Sequence, residues 1–208
     1  MYDNYVSLGN NCEIAFQMRR VRGVHKGGFF NWNITNLDVL IAILQNDFAG
    51  LLQEHNIVHF QSDLFRDLQY RHCFHADFST PDLNADGKFQ EKLENLRSKT
   101  YHFIHSFRTL KDSGRTVFFY KTHETENLLD RIVTVRDILT SYVPYGQFDL
   151  VVAQPVEQLL KGQDRQNIYF RPLARLAPGN DATDGHVRSW DIIFREFPHR
   201  EGITAAFW

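Results

Sequence analysis

Two kinds of apolar pattern take turns along this chain, and that alternation limits its fold more than any other feature. Thr116 to Tyr120 (TVFFY), Phe148 to Ala153 (FDLVVA) and Asn167 to Phe170 (NIYF) are short, continuous apolar runs that read as buried strands. Asn4-Tyr5-Val6 is a shorter candidate, and Leu68 to Phe74 is a further plausible strand. Between them run helical stripes. Leu37, Leu40, Ile41, Leu44, Phe48 and Leu51 recur at helical spacing within Thr35 to Leu52. Phe89, Leu93, Leu96, Phe103, Phe107 and Leu110 mark a long helix that stops near Gly114. Glu124 to Val143 and Val187 to Phe197 are two more, and Ile14 to Arg20 is a first short one. Strands alternating with helices predict an α/β fold with a mainly parallel sheet covered on both faces, a Rossmann-like three-layer arrangement. With 208 residues, no repeat and no convincing linker, the expectation is a single domain over 1–208. Ser79 to Gly87 and Ala177 to Gly185 read as surface loops.

A net charge of −2 leaves no basic footprint for nucleic acid or an anionic membrane. No apolar run approaches the ~20 residues of a membrane helix, and the first residues form no export signal. Two distant cysteines suggest no disulfide framework, so the expected setting is cytoplasmic and reducing.

In open α/β sheets ligands sit beyond the carboxyl ends of the strands, so the residues that follow each strand are the candidates for a site. The first strand leads into Ser7-Leu8-Gly9-Asn10-Asn11-Cys12, the second into His75-Ala76-Asp77, the third into Lys121-Thr122-His123-Glu124, and the fourth into Gln154-Pro155. Cys12 stands where a strand turns into a helix. There the helix dipole would lower its thiol pKa, Gly9 would permit a tight turn, and free N–H groups near Asn11 and Cys12 would hold an oxyanion. The alternative is that Cys12 is a small core residue and Asn10 and Asn11 are ordinary caps. A thiol nucleophile needs a base. His75 with Asp77 is one candidate, His123 beside Lys121 and Glu124 a second, and His186 with Asp184 a third. Lys121, His123 and Glu124 also form a candidate anion site at a strand end. Neither a GxGxxG nor a Walker-type phosphate loop occurs, and no cofactor is implied. His102 and His105 lie three residues apart in the long helix with no third ligand nearby, so no metal site is expected.

Taken together, Ser7-Leu8-Gly9-x-x-Cys12, Arg19-Arg20 and Gly28-Phe29-Phe30-Asn31-Trp32 resemble the bacterial family of papain-like cysteine peptidases that is classed as a domain of unknown function. Phe74 to Phe78, the long helix from Phe89 and the strand from Val117 resemble its later segments, and Cys12-Glu13 with the Trp190 helix resembles related sequences found near surface-polysaccharide genes. The resemblance implies Cys12 as nucleophile and His75 as base, with Asp77 or Asn31 orienting it. The chain departs from the family pattern at Phe29, where Pro is usual, at Asn31, where Asp is usual, and at Ala76, which separates His75 from Asp77. Papain-like enzymes open a central helix with the cysteine and draw the histidine from a separate antiparallel sheet, whereas the residue pattern puts Cys12 directly after a strand. The leading expectation is a cysteine-dependent hydrolase or acyl transferase acting on a small molecule, peptide or glycan. The alternatives are a glycan- or nucleotide-sugar-related protein using Lys121, His123 and Glu124, and a non-catalytic interaction domain.

Overall fold

The structure, a computed structural model, describes residues 1–23, 27–61, 64–76, 88–179 and 181–201. Asp77, the loop Ser79 to Gly87 and the apolar ending Gly202 to Trp208 lie outside the described residues.

Four strands form a parallel sheet in the order β1-β6-β7-β8: β1 (Asn4–Ser7), β6 (Thr116–Lys121), β7 (Phe148–Pro155) and β8 (Ile168–Leu173). Both central strands are buried at every position, which is why their middles, Val117 to Tyr120 and Leu150 to Ala153, read as apolar runs. Helices cover both faces. On one side α1 (Glu13–Arg22) and α5 (Val187–Glu196) pack Ile14, Met18, Val21, Trp190, Ile193 and Phe194 against Val117, Phe119 and Val151. On the other side lie α2 (Leu37–Gln45), α3 (Lys88–Arg108) and α4 (Leu128–Leu139).

The expectation of one mainly parallel sheet needs correction. A second, antiparallel sheet runs β2-β5-β4-β3, from β2 (Asn33–Ile34), β3 (Ile57–Gln61), β4 (Leu64–Asp67) and β5 (Cys73–His75). Leu68 to Phe74 is not one strand but the turn and second arm of a hairpin. Arg71 takes φ 60°, its N–H donates to Asp67 O at 2.7 Å, and Asp67 N–H donates to His72 O at 3.0 Å. The buried Asp67 carboxylate secures the turn by accepting from Leu52 N–H (2.7 Å) and Gln69 N–H (2.9 Å). Burial pushes its pKa up, against those bonds.

One hydrophobic cluster joins the two sheets. Aromatic contacts carry it across: Phe29 to Phe48 at 5.0 Å between ring centres, Phe48 to Phe107 at 5.5 Å, Phe107 to Phe118 at 5.8 Å and Phe118 to Phe148 at 5.6 Å. No described helix is long and apolar enough to cross a membrane.

His72 is 2 % exposed and packs against the rings of Phe29 and Phe74. Desolvation lowers its pKa from 6.5 to about 4, so it stays neutral in the fold where the unfolded chain would take a proton. Its contribution is therefore complete above pH 6.5 and is lost as pH falls from 6.5 towards 4. The expected loss in urea denaturation over that interval is on the order of 3 kcal/mol. His72→Phe should remove this part of the pH dependence and leave stability at neutral pH within about 1.5 kcal/mol.

Candidate active site

Cys12 sits where the parallel sheet hands the chain to α1. β1 ends at Ser7, which is buried and whose Oγ accepts from Gly9 N–H at 3.2 Å. Gly9 (φ 93°) and Asn10 (φ 81°) then take two successive left-handed conformations, and Asn10 N–H donates to Thr35 O at 3.1 Å. A Cβ on Gly9 would lie 3.2 Å from Thr35 Cβ, so the left-handed backbone favours glycine and the space beside Thr35 is tight. Asn11 Oδ1 accepts from Glu13 N–H at 2.9 Å, and Phe16 N–H is the first to reach a helical carbonyl, that of Cys12, at 3.1 Å. The Ile14 and Ala15 N–H groups of the first turn therefore point out of the helix end beside the thiol. Cys12 is the N-cap residue and is 8 % exposed.

The next residue carries a buried ion pair. Glu13 is fully buried, and its carboxylate receives Lys121 Nζ at 2.7 Å, Ala177 N–H at 3.0 Å and Trp190 Nε1–H at 2.9 Å. Gly185 backs onto it so closely that a Cβ there would lie 2.5 Å from Glu13 Oε1. Lys121 was expected at an open rim as an anion contact. Instead it is 1 % exposed and its charge is directed at Glu13. His123 is exposed, while Glu124 pairs with Arg131 at 2.6 Å. α4 starts only at Leu128, so neither His123 nor Glu124 stands at a helix N-terminus. The three residues do not converge on an anion site.

His75 ends β5 and is exposed. It is thus on the antiparallel sheet and not, as the strand-end argument expected, on the rim of the parallel one. It lines a cavity of about 920 Å³ with Trp32, Asn33, Phe74 and His72. Trp32 lines the same cavity as His75 and packs edge-on against Phe16 at 5.2 Å. Phe16 lies one turn beyond Cys12 on the same helix face. Helix, tryptophan and histidine-bearing sheet therefore follow one another from Cys12 to His75, although Cys12 is not in the cavity lining. Asn31 is 4 % exposed, lies over Gly28, and lines a second cavity of about 410 Å³ on the other side of the Phe29–Trp32 turn.

The third candidate base is placed differently. His186 caps α5, its Nδ1 accepting from Ser189 N–H at 3.3 Å with Ser189 Oγ at 2.8 Å. A backbone N–H can only donate, so the neutral ring carries its proton on Nε2 and has no free lone pair there. Asp184 pairs with Arg175 at 2.7 Å rather than with His186. The Asp184–His186 pair is not assembled.

A protein-family profile described as "Putative papain-like cysteine peptidase" matches residues 3–143. The chain belongs to that family. The match takes in Cys12, Asn31, His75, Asp77, Lys121, His123 and Glu124, and leaves out Ala177, Asp184, His186 and Trp190. No curated protein and no solved structure gives a significant match. The papain-like layout and the strand-turn-helix reading are reconciled in this fold. Cys12 both follows a parallel strand and opens a helix, and His75 comes from a separate antiparallel sheet.

Residue patterning missed the Glu13 network. Its one sequence signal is a carboxylate in the apolar spacing of α1 beside Ile14 and Met18, and nothing local names Lys121 or Trp190 as partners. Glu13→Gln should cost about 3–5 kcal/mol in denaturant unfolding, because the Lys121 ammonium would remain buried without its counter-charge. Adding Lys121→Met to Glu13→Gln should recover part of that loss, since no buried charge then remains.

Proposed function

We propose that this protein is a cysteine-dependent hydrolase or acyl transferase in which Cys12 is the nucleophile and His75 the base. The observation that carries this reading is the position of Cys12 at the mouth of α1. The helix dipole and the unbonded N–H groups of the first turn favour the thiolate and, after attack, the oxyanion. Cys12 Sγ would add to the carbonyl carbon of an ester, thioester or amide, and the N–H groups of Asn11 and of the first helical turn would receive the negative oxygen. The thiol proton would pass to His75 and from there to the leaving group. Water, or an acceptor nucleophile, would then release the acyl group and restore the thiol. Membership of the papain-like family supports the same assignment. Trp32, between Phe16 and the His75 cavity, would form one wall of the approach.

The alkylation rate of Cys12 against pH tests the reading, in a Cys73→Ser background because Cys73 is the other cysteine and forms no disulfide. The reactive form is expected to titrate well below the ordinary thiol value of about 8.5, and His75→Ala should raise it. If Cys12 reacts only when the protein unfolds, it is a packed core residue and the proposal fails.

A further inference from the structure

The cavity of about 920 Å³ that His75 lines is also lined by three buried side chains with hydrogen-bonding capacity to spare: His72, Asn33 and Thr100. Among the described residues no hydrogen bond reaches the His72 ring, and its Nδ1 is enclosed without a partner. With Nδ1 shut in by protein, Nε2 is the nitrogen left to meet whatever enters the cavity. Native folds rarely bury a polar side chain unpaired without a use for it. Asn33 spends its amide nitrogen on Phe29 O at 2.8 Å, and its amide oxygen takes no bond from the described residues. Thr100 lies within α3, yet its hydroxyl does not return to the preceding turn as that of Ser106 does to His102 O at 3.0 Å.

The other buried or half-buried wall residues are mainly apolar, from Phe29, Trp32, Leu52, Phe74 and Phe103. Formal charges come from Glu91, Lys92 and Lys99 of α3, and Glu91 and Lys99 are exposed. Burial alone displaces the pKa of His72, so no charged side chain acts on its ring. An apolar wall with a few uncharged polar groups fits an uncharged ring that carries a hydroxyl. A carboxylate can only accept and an ammonium can only donate, and either would lose its hydration with no opposite charge beside His72. A hydroxyl both donates and accepts, so it satisfies Nε2 in either tautomer of the neutral imidazole. The rings of Phe29 and Phe74, centred 6.0 and 5.4 Å from that of His72, favour an aromatic body for the ligand.

We propose that this cavity binds a phenolic group, its ring against Phe29, Phe74 and Phe103 and its hydroxyl on His72 Nε2. The spare capacity of Asn33 and Thr100 serves the remaining polar atoms of the ligand. A phenolic ring fills only part of about 920 Å³, so the rest of the ligand extends towards the exposed rim where His75 lies. Binding stands apart from the chemistry of Cys12; that the bound molecule is the substrate rests on the assignment of His75 as base.

Titration of the full chain with p-cresol, toluene and 4-methylbenzoate tests it, followed by NMR at the His72 ring and at the Phe74 and Thr100 amides. p-Cresol should shift these signals saturably and bind about tenfold or more tighter than toluene, the preference expected of one hydrogen bond that the analogue cannot make. 4-Methylbenzoate should bind more weakly than p-cresol, because its carboxylate would be buried without a cation. His72→Phe keeps a ring in the same place and should erase the preference for p-cresol over toluene, read at the two amides. His72→Gln, which can still donate and accept, should retain part of it. Toluene or 4-methylbenzoate binding as tightly as p-cresol overturns the proposal, as does a preference unchanged in His72→Phe or no shift with any of the three. Alkylation of Cys12 is measured without these probes, so the two readings fail separately.

Discussion

Glu13 places a carboxylate where no water reaches it, against the Lys121 ammonium, and several elements are arranged around that pair. A buried carboxylate is tolerated only if its oxygens are matched by donors and its charge by a cation. Lys121 supplies the cation from the end of β6, Trp190 a donor from α5, and the Ala177 backbone another from the loop after β8. Three separate pieces of chain are thereby registered against one residue. That residue is the first of α1, so the network also fixes the helix end at which Cys12 sits.

The turn before Glu13 is held with similar strictness from the other side. Gly9 and Asn10 are both left-handed, Ser7 and Asn11 bond the local backbone, and Asn10 ties the turn to Thr35 just beyond β2. The same few residues thus connect the parallel sheet, α1 and the antiparallel sheet. A thiol placed there inherits a fixed position relative to both sheets. This is the kind of preorganisation that nucleophilic chemistry uses.

Edge management gives the fold its asymmetry. Among the described residues β1 pairs on one side only, and its other side is flanked by α1 and by the Phe29–Trp32 turn with α3. The chain entering at Tyr2 and the chain leaving at His199 meet at one end of that groove. The larger cavity, with His75, lies beyond the same turn, sharing Gly28, Phe29, Trp32 and Phe103 with the groove. Trp32 is therefore a partition between the edge of one sheet and the histidine of the other.

The sequence by itself determined the parallel half of the fold. Phe148 to Ala153 and Thr116 to Tyr120 read as buried strands, because they are short, mainly apolar and rich in β-branched and aromatic residues. The stripes from Leu37, Phe89, Leu128 and Trp190 could only be helices, by their period. It also singled out Cys12, since a thiol between a strand and a helix is visible as local order. The antiparallel sheet was hidden because its strands are short, half exposed and interrupted by a left-handed Arg71, so no periodicity survives in Leu68 to Phe74. Lys121 shows the same limit at the level of a single side chain. A lysine after a strand looks the same in sequence whether it meets solvent or a buried carboxylate. Only tertiary structure brings Glu13 to it across 108 residues of chain and makes the difference between a binding group and a buried ion pair.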